Sequence, residues 1–135
     1  MNQSDFYEAK LKYEIDAWNL YKALSNGDDI VVIDTRSSEA YEIESIPSSI
    51  NISHITMTPE NIRQLNKAIL YVVYCDGIGS NASTRGALNM ARFGFQVKEL
   101  IGGLDWWKRD GYATTGTDGH DGREVICSVS VNGNP

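Results

Sequence analysis

Cysteine and histidine are scarce in this 135-residue chain, two of each. Cys75 and Cys127 form no CxxC pair, and His54 and His120 stand far apart in the sequence. That argues against a disulfide framework and against a Cys/His metal cluster, and no metal or cofactor is expected. No apolar run approaches the roughly 20 residues a helix needs to cross a bilayer. Runs of Lys or Arg are also missing. With 12 basic and 18 acidic residues the net charge is −6, so neither nucleic acid nor an anionic membrane is expected as a partner. The N-terminal MNQSDFYEAK is polar and acidic, without the basic-then-apolar layout of a signal peptide, which points to a cytoplasmic location.

The rest is ordinary for a soluble globular chain: 41% hydrophobic and 22% charged residues, enough for one core but not two. Strands are expected near residues 12–15, 30–34 (IVVID), 49–53 (SINIS), 69–74 and 97–101. A helical turn precedes the first strand. Asp16 reads as the N-cap of AWNLYKALS, which Asn26-Gly27 ends. Ser37-Ser38-Glu39 opens a short helix, and Thr58-Pro59 starts another over ENIRQLN. A helix over 82–93 carries Ala82, Gly86, Met90 and Phe93 on one face, suited to packing on a sheet. Gly102-Gly103 ends the fifth strand, before a last short helix in LDWWKRDG.

This rhythm predicts a three-layer α/β fold, with about five mostly parallel strands and helices on both faces. The domain is expected over residues 1–112, including a short N-terminal extension. Residues 113–135 then form a tail. Its first part has linker composition, and the final EVICSVSV alternates as an edge strand does. Such a strand would add to the sheet or pair with a second copy, making a homodimer through the tail. Cys127 falls on its apolar face and reads as an inert buried thiol.

The stretch with chemistry in it runs over residues 68–95, AILYVVYCDGIGSNASTRGALNMARFGF. An apolar strand ends in Cys75, a loop with two glycines follows, and a helix begins. A cysteine so placed faces unpaired N–H groups at a helix N-terminus, where a thiolate or a bound anion is stabilised. Cys–His hydrolysis needs a base, and nothing in the sequence brings His54 or His120 to Cys75. Thioredoxin-like exchange needs a second cysteine where Ile78 stands. Cysteine-dependent phosphatases carry an arginine at the position of Asn81, and Arg85 lies about one turn further on. Sulfur transfer through a cysteine persulfide asks only for a nucleophilic sulfur and a cradle of N–H groups. Gly77 and Gly79 let loop amides curl inward, and Ser80 and Asn81 add side-chain donors. The residues alone leave three readings open: a sulfurtransferase, a phosphatase or arsenate-type enzyme using the same loop, and a binding module that keeps the cysteine unused.

From about Tyr13 to Tyr112 the chain resembles a single-domain rhodanese-like sulfurtransferase. The matching pieces come in order: VVIDTR, Tyr41, the Ile46-Pro47 turn before Ile50-Asn51-Ile52, YVVYC, and GFQVKELIGGLDWW with its Gly-Gly-x-x-x-Trp ending at Trp107. The loop itself resembles a subgroup of CxGxGxN type. The resemblance implies that Cys75 is the nucleophile and persulfide carrier. It would pass sulfane sulfur from a small donor, thiosulfate or a persulfide, to a thiol or cyanide. Asp76, Gly77, Ile78, Gly79, Ser80 and Asn81 are implied as the anion-binding loop, with backbone N–H groups of 76–80 as its cradle. Asp34 and Arg36 are implied as supporting residues near the loop, and on physical grounds they read as a buried ion pair fixing the strand end.

The sequence also departs from the family pattern. The turn Glu44-Ser45-Ile46-Pro47-Ser48-Ser49 lacks the histidine usual there, and Ser80 or Asn81 replaces a common loop arginine. Asp76 stands next to the nucleophile. A loop without its own cation is expected to bind dianionic thiosulfate poorly, with Arg85, Lys108 and Arg109 as the basic residues near enough in sequence to compensate.

Overall fold

The computed structural model describes residues 1–122; the alternating tail and Cys127 lie outside the described residues. Five strands form one sheet: β1 (Glu14–Ile15), β2 (Ile30–Asp34), β3 (Ile50–Asn51), β4 (Leu70–Tyr74) and β5 (Gln96–Leu100). Their order is β1-β5-β4-β2-β3, and every pairing is parallel. The helices are α1 (Gln3–Tyr13), α2 (Ala17–Ser25), α3 (Ser38–Ile43), α4 (Pro59–Ile62), α5 (Ala82–Arg92) and α6 (Gly103–Arg109). None is long and apolar enough to cross a membrane.

β2 and β4 lie side by side, with Val32 opposite Val72 and Ile33 opposite Val73. Both are covered on two faces, so they read as continuous apolar runs rather than alternating ones. Val32, Val72 and Tyr74 pack with Ala17 and Leu20 of α2 and with Leu104 and Trp107 of α6. Ile33, Tyr71 and Val73 face the opposite layer, meeting Ile62 of α4 and Met90 of α5. Leu20, Ile33, Val72 and Val73 are all fully buried, each contributing roughly 1.5–3 kcal/mol over exposure. The expected three layers follow from these two clusters.

Three elements differ from the sequence expectation, the first being the strand foreseen over 49–53, which is only Ile50–Asn51. The turn foreseen before the first strand is a full helix, α1, reaching Tyr13, so the strand shrinks to two residues. Asn2 and Asp5 start that helix with a capping box. Conversely, the helix foreseen over ENIRQLN stops at Ile62. Proline holds its first turn, but Thr58 makes no side-chain cap bond. Asn66 then turns the chain by accepting the Ala68 N–H.

Residues 113–122 fold back onto the end of α3. Ser45 and Thr115 exchange two backbone hydrogen bonds of 2.9 Å each. The N–H groups of Thr117 and Asp118 bond the carbonyls of Glu42 and Ile43. The buried Thr114 hydroxyl donates to Glu44.

Candidate active site

Cys75 follows the last residue of β4 and is 2% exposed. Its main chain is held from two sides. The N–H and hydroxyl of Thr35 both donate to the Tyr74 carbonyl, at 3.0 and 2.7 Å. At the other side, the first amides of α6 take the next carbonyls, Leu104 N–H to Cys75 O (2.9 Å) and Asp105 N–H to Asp76 O (2.8 Å). This close approach explains the second glycine of the Gly102-Gly103 pair. Gly103 has φ +56°, and a Cβ there would lie 2.3 Å from the Cys75 carbonyl oxygen.

The sulfur lies 3.2 Å from the Ser83 hydroxyl in the first turn of α5. Ser83 in turn donates to Glu99 Oε2 at 2.6 Å, and Thr84 donates to the same oxygen at 2.7 Å. Register puts Glu99 there: on β5 it pairs with Val73 of β4 on one side and Glu14 of β1 on the other. These residues and the loop enclose a cleft of about 650 Å³, in which the charged residues are Glu14 and Glu99.

The loop residues fall as follows. Gly77, Ile78, Gly79, Ser80 and Asn81 line the cleft, and Asp76 turns its carboxylate outward, 73% exposed. The Asn81 Oδ1 accepts from Arg85. The N–H groups expected to ring the sulfur are not bonded to it among the described residues. Ser80 N–H closes onto Gly77 O instead, at 3.2 Å. The sulfur meets the carbonyl oxygens of Ser80 (3.4 Å) and Gly77 (3.6 Å), a setting matched to a protonated thiol, which donates. Asn81, the N-cap of α5, makes no side-chain cap bond, and the Ser80 hydroxyl oxygen accepts the Ala82 N–H at 3.3 Å.

Arg36 joins strand end and loop. It forms a two-pronged contact with the fully buried Asp34, with Nη2 2.7 Å and Nε 3.0 Å from its carboxylate oxygens. It also donates to the Glu44 carbonyl at 2.6 Å and to Asp76 at 3.0 Å. Burial opposes its charge, but the Asp34 carboxylate outweighs burial and holds the pKa above the ordinary arginine value. For the Tyr74 phenol burial acts in the other sense and, helped by the negative Asp34, raises its pKa. Of the other basic residues near the loop in sequence, Lys108 bonds Glu44 at 2.8 Å and Arg109 bonds Asp105 at 3.0 Å, whereas Arg85 bonds the neutral Asn81 at 3.3 Å.

Sequence reasoning missed Ser83, Glu99 and Glu14. A serine in the second position of a helix and a glutamate in a strand carry no local signal of a shared site. Only the pairing of β1, β5 and β4 brings them to Cys75.

The rhodanese-like domain family matches residues 17–110. The chain belongs to this family. It is 33% identical to the thiosulfate sulfurtransferase GlpE of Coxiella burnetii over 96 residues, 70% of this chain and 82% of that protein. It is 27% identical over 112 residues to the adenylyltransferase and sulfurtransferase UBA4 of Debaryomyces hansenii, covering 75% of this chain but 24% of that protein's length. Among solved structures, the BH2092 protein of Bacillus halodurans superposes with a TM-score of 0.82 at 32% identity, over 95% of this chain and 94% of that one. The rhodanese-like domain of the Anabaena Alr3790 protein, at 24% identity and TM-score 0.70 over 84% and 91% of the two chains, shares the fold.

Proposed function

We propose that this rhodanese-like protein is a sulfurtransferase that carries sulfane sulfur as a persulfide on Cys75. The observation that carries the reading is the buried sulfur at the end of β4, opening onto a cleft that the first turn of α5 also lines. In the loading step the Cys75 thiolate attacks the outer sulfur of a donor R–S–SH. A new S–S bond forms, the donor's S–S bond breaks, and RS⁻ leaves and takes up a proton. An acceptor thiolate or cyanide then attacks the outer sulfur and returns Cys75 as thiolate. The persulfide anion is favoured by the positive end of the α5 dipole.

The donor is a persulfide in preference to thiosulfate. Both charged residues lining the cleft are carboxylates; Arg36, Lys108 and Arg109 are held by acidic partners, and Arg85, bonded to the neutral Asn81, is not among the lining residues. A dianion entering there meets like charge without a clamp. The test is thiocyanate formation from cyanide, with glutathione persulfide and thiosulfate as alternative donors. The wild type forms thiocyanate faster from the persulfide, and Cys75→Ser forms none above background. Equal turnover by Cys75→Ser would end the reading, and aryl phosphate hydrolysis lost in the same variant would favour the phosphatase reading.

A further inference from the structure

We propose that Ser83 and Glu99 form the proton path of Cys75, with the Ser83 hydroxyl taking the thiol proton and Glu99 holding it. Hydrogen-bond arithmetic sets the direction. An ionised carboxylate only accepts, so the single proton of Ser83 points to Glu99 Oε2 at 2.6 Å. Ser83 Oγ then offers a lone pair to the sulfur at 3.2 Å, the shortest of three acceptor contacts around the one thiol proton, with Ser80 O at 3.4 Å and Gly77 O at 3.6 Å. Thr84 donates to the same Glu99 oxygen at 2.7 Å and fixes the carboxylate from a second side.

Packing alone does not account for Glu99. It has no basic partner among the described residues, and it stands in register with Glu14 on the neighbouring strand, a like-charge pairing that costs stability. The other charged groups around the site have partners on their own elements or nearby: Glu14 with Lys10 of α1 at 3.1 Å, Asp76 with Arg36, and Asp105 with Arg109. Glu99 instead spends its accepting oxygen on two hydroxyls of α5, one of which touches the sulfur.

The step balances. The Cys75 S–H bond breaks and its proton passes to Ser83 Oγ, while the proton Ser83 carried passes to Glu99 Oε2. The products are a thiolate and a neutral carboxylic acid, so the net charge of the cleft is unchanged. After the thiolate attacks the donor's outer sulfur, the proton on Glu99 is available to the departing thiolate. Ser83 touches the reacting atom and is a catalytic residue; Glu99 acts through it and is a positioning residue.

Alkylation by neutral iodoacetamide tests this without any sulfur donor, so it succeeds or fails independently of the transfer reaction proposed above. The rate at Cys75 is followed against pH by peptide mass in wild type, Glu99→Gln and Ser83→Ala. In the wild type the rate has two limbs, an acidic one governed by Glu99 and an alkaline one governed by the thiol. Each variant loses the acidic limb and reacts about a hundredfold more slowly at mildly acidic pH, the low end for a positioned base. A one-limb wild-type profile overturns the proposal. So does a Glu99→Gln protein that reacts faster throughout, since Glu99 would then merely repel the thiolate. Ser83→Ala removes a single oxygen, and it decides the matter should Glu99→Gln unfold at lower urea.

Discussion

Arg36 and Asp76 meet across the mouth of the site, Nη1 3.0 Å from Oδ1, so the end of β2 is tied to the residue following Cys75. The two ends of this contact are unequal. Asp76 is 73% exposed, whereas the Arg36 side chain is 9% exposed and neutralises the fully buried Asp34. Removing Arg36 leaves Asp34 buried without a counter-charge, and Arg36→Ala is expected to cost about 3–5 kcal/mol. Asp76→Asn removes a solvent-screened pair and costs about 1 kcal/mol or less. Urea unfolding of the two variants measures both. Similar losses would show that Arg36 acts mainly on the loop rather than on Asp34.

Gly103→Ala is expected to damage stability and site together. The added methyl would lie 2.3 Å from the Cys75 carbonyl oxygen and 3.0 Å from the Gly77 nitrogen, on a backbone at φ +56°. Neither neighbour is a flexible side chain, so the loop must move. A loss of about 1–3 kcal/mol is expected, from overpacking and backbone strain. Cys75 alkylation in the folded variant should change with it. An unchanged rate would mean the α6 amides do not set the loop.

The sheet was legible because β2 and β4 are apolar runs of strand length bounded by Asp and Gly, and the capping chemistry of Asp16 and Ser37 worked as read. α1 was not legible, since it buries none of its residues and so shows no apolar stripe. Cys75 and its loop stand out locally. The partners of that cysteine do not, because register rather than spacing brings residue 99 to residue 83. Asp34 and Arg36 read correctly as an ion pair, but the reach of Arg36 to Asp76 depends on the loop's path. Linker-like composition in residues 113–122 hid a segment tied to Glu42, Ile43 and Ser45 by backbone hydrogen bonds, which any sequence can make.

That segment also carries a pH dependence. Burial works against the Glu44 charge, but hydrogen bonds from Lys108 and Thr114 outweigh it and hold the carboxyl below its usual value of 4.5. A depressed folded value contributes stability that is complete above 4.5 and lost as the pH falls through the folded value. Lys108→Met should therefore flatten the acid limb of the urea midpoint plotted against pH. An acid limb as steep as that of the wild type would place the titration elsewhere.

The central claim is that Cys75 carries the sulfur, and peptide-level mass spectrometry tests it most directly. The protein is incubated with glutathione persulfide, trapped by a neutral alkylating reagent, and mapped at both Cys75 and Cys127. One added sulfur atom is expected on the Cys75 peptide, and a thiol acceptor should remove it. Sulfur found only on Cys127, or on neither cysteine, would contradict the account.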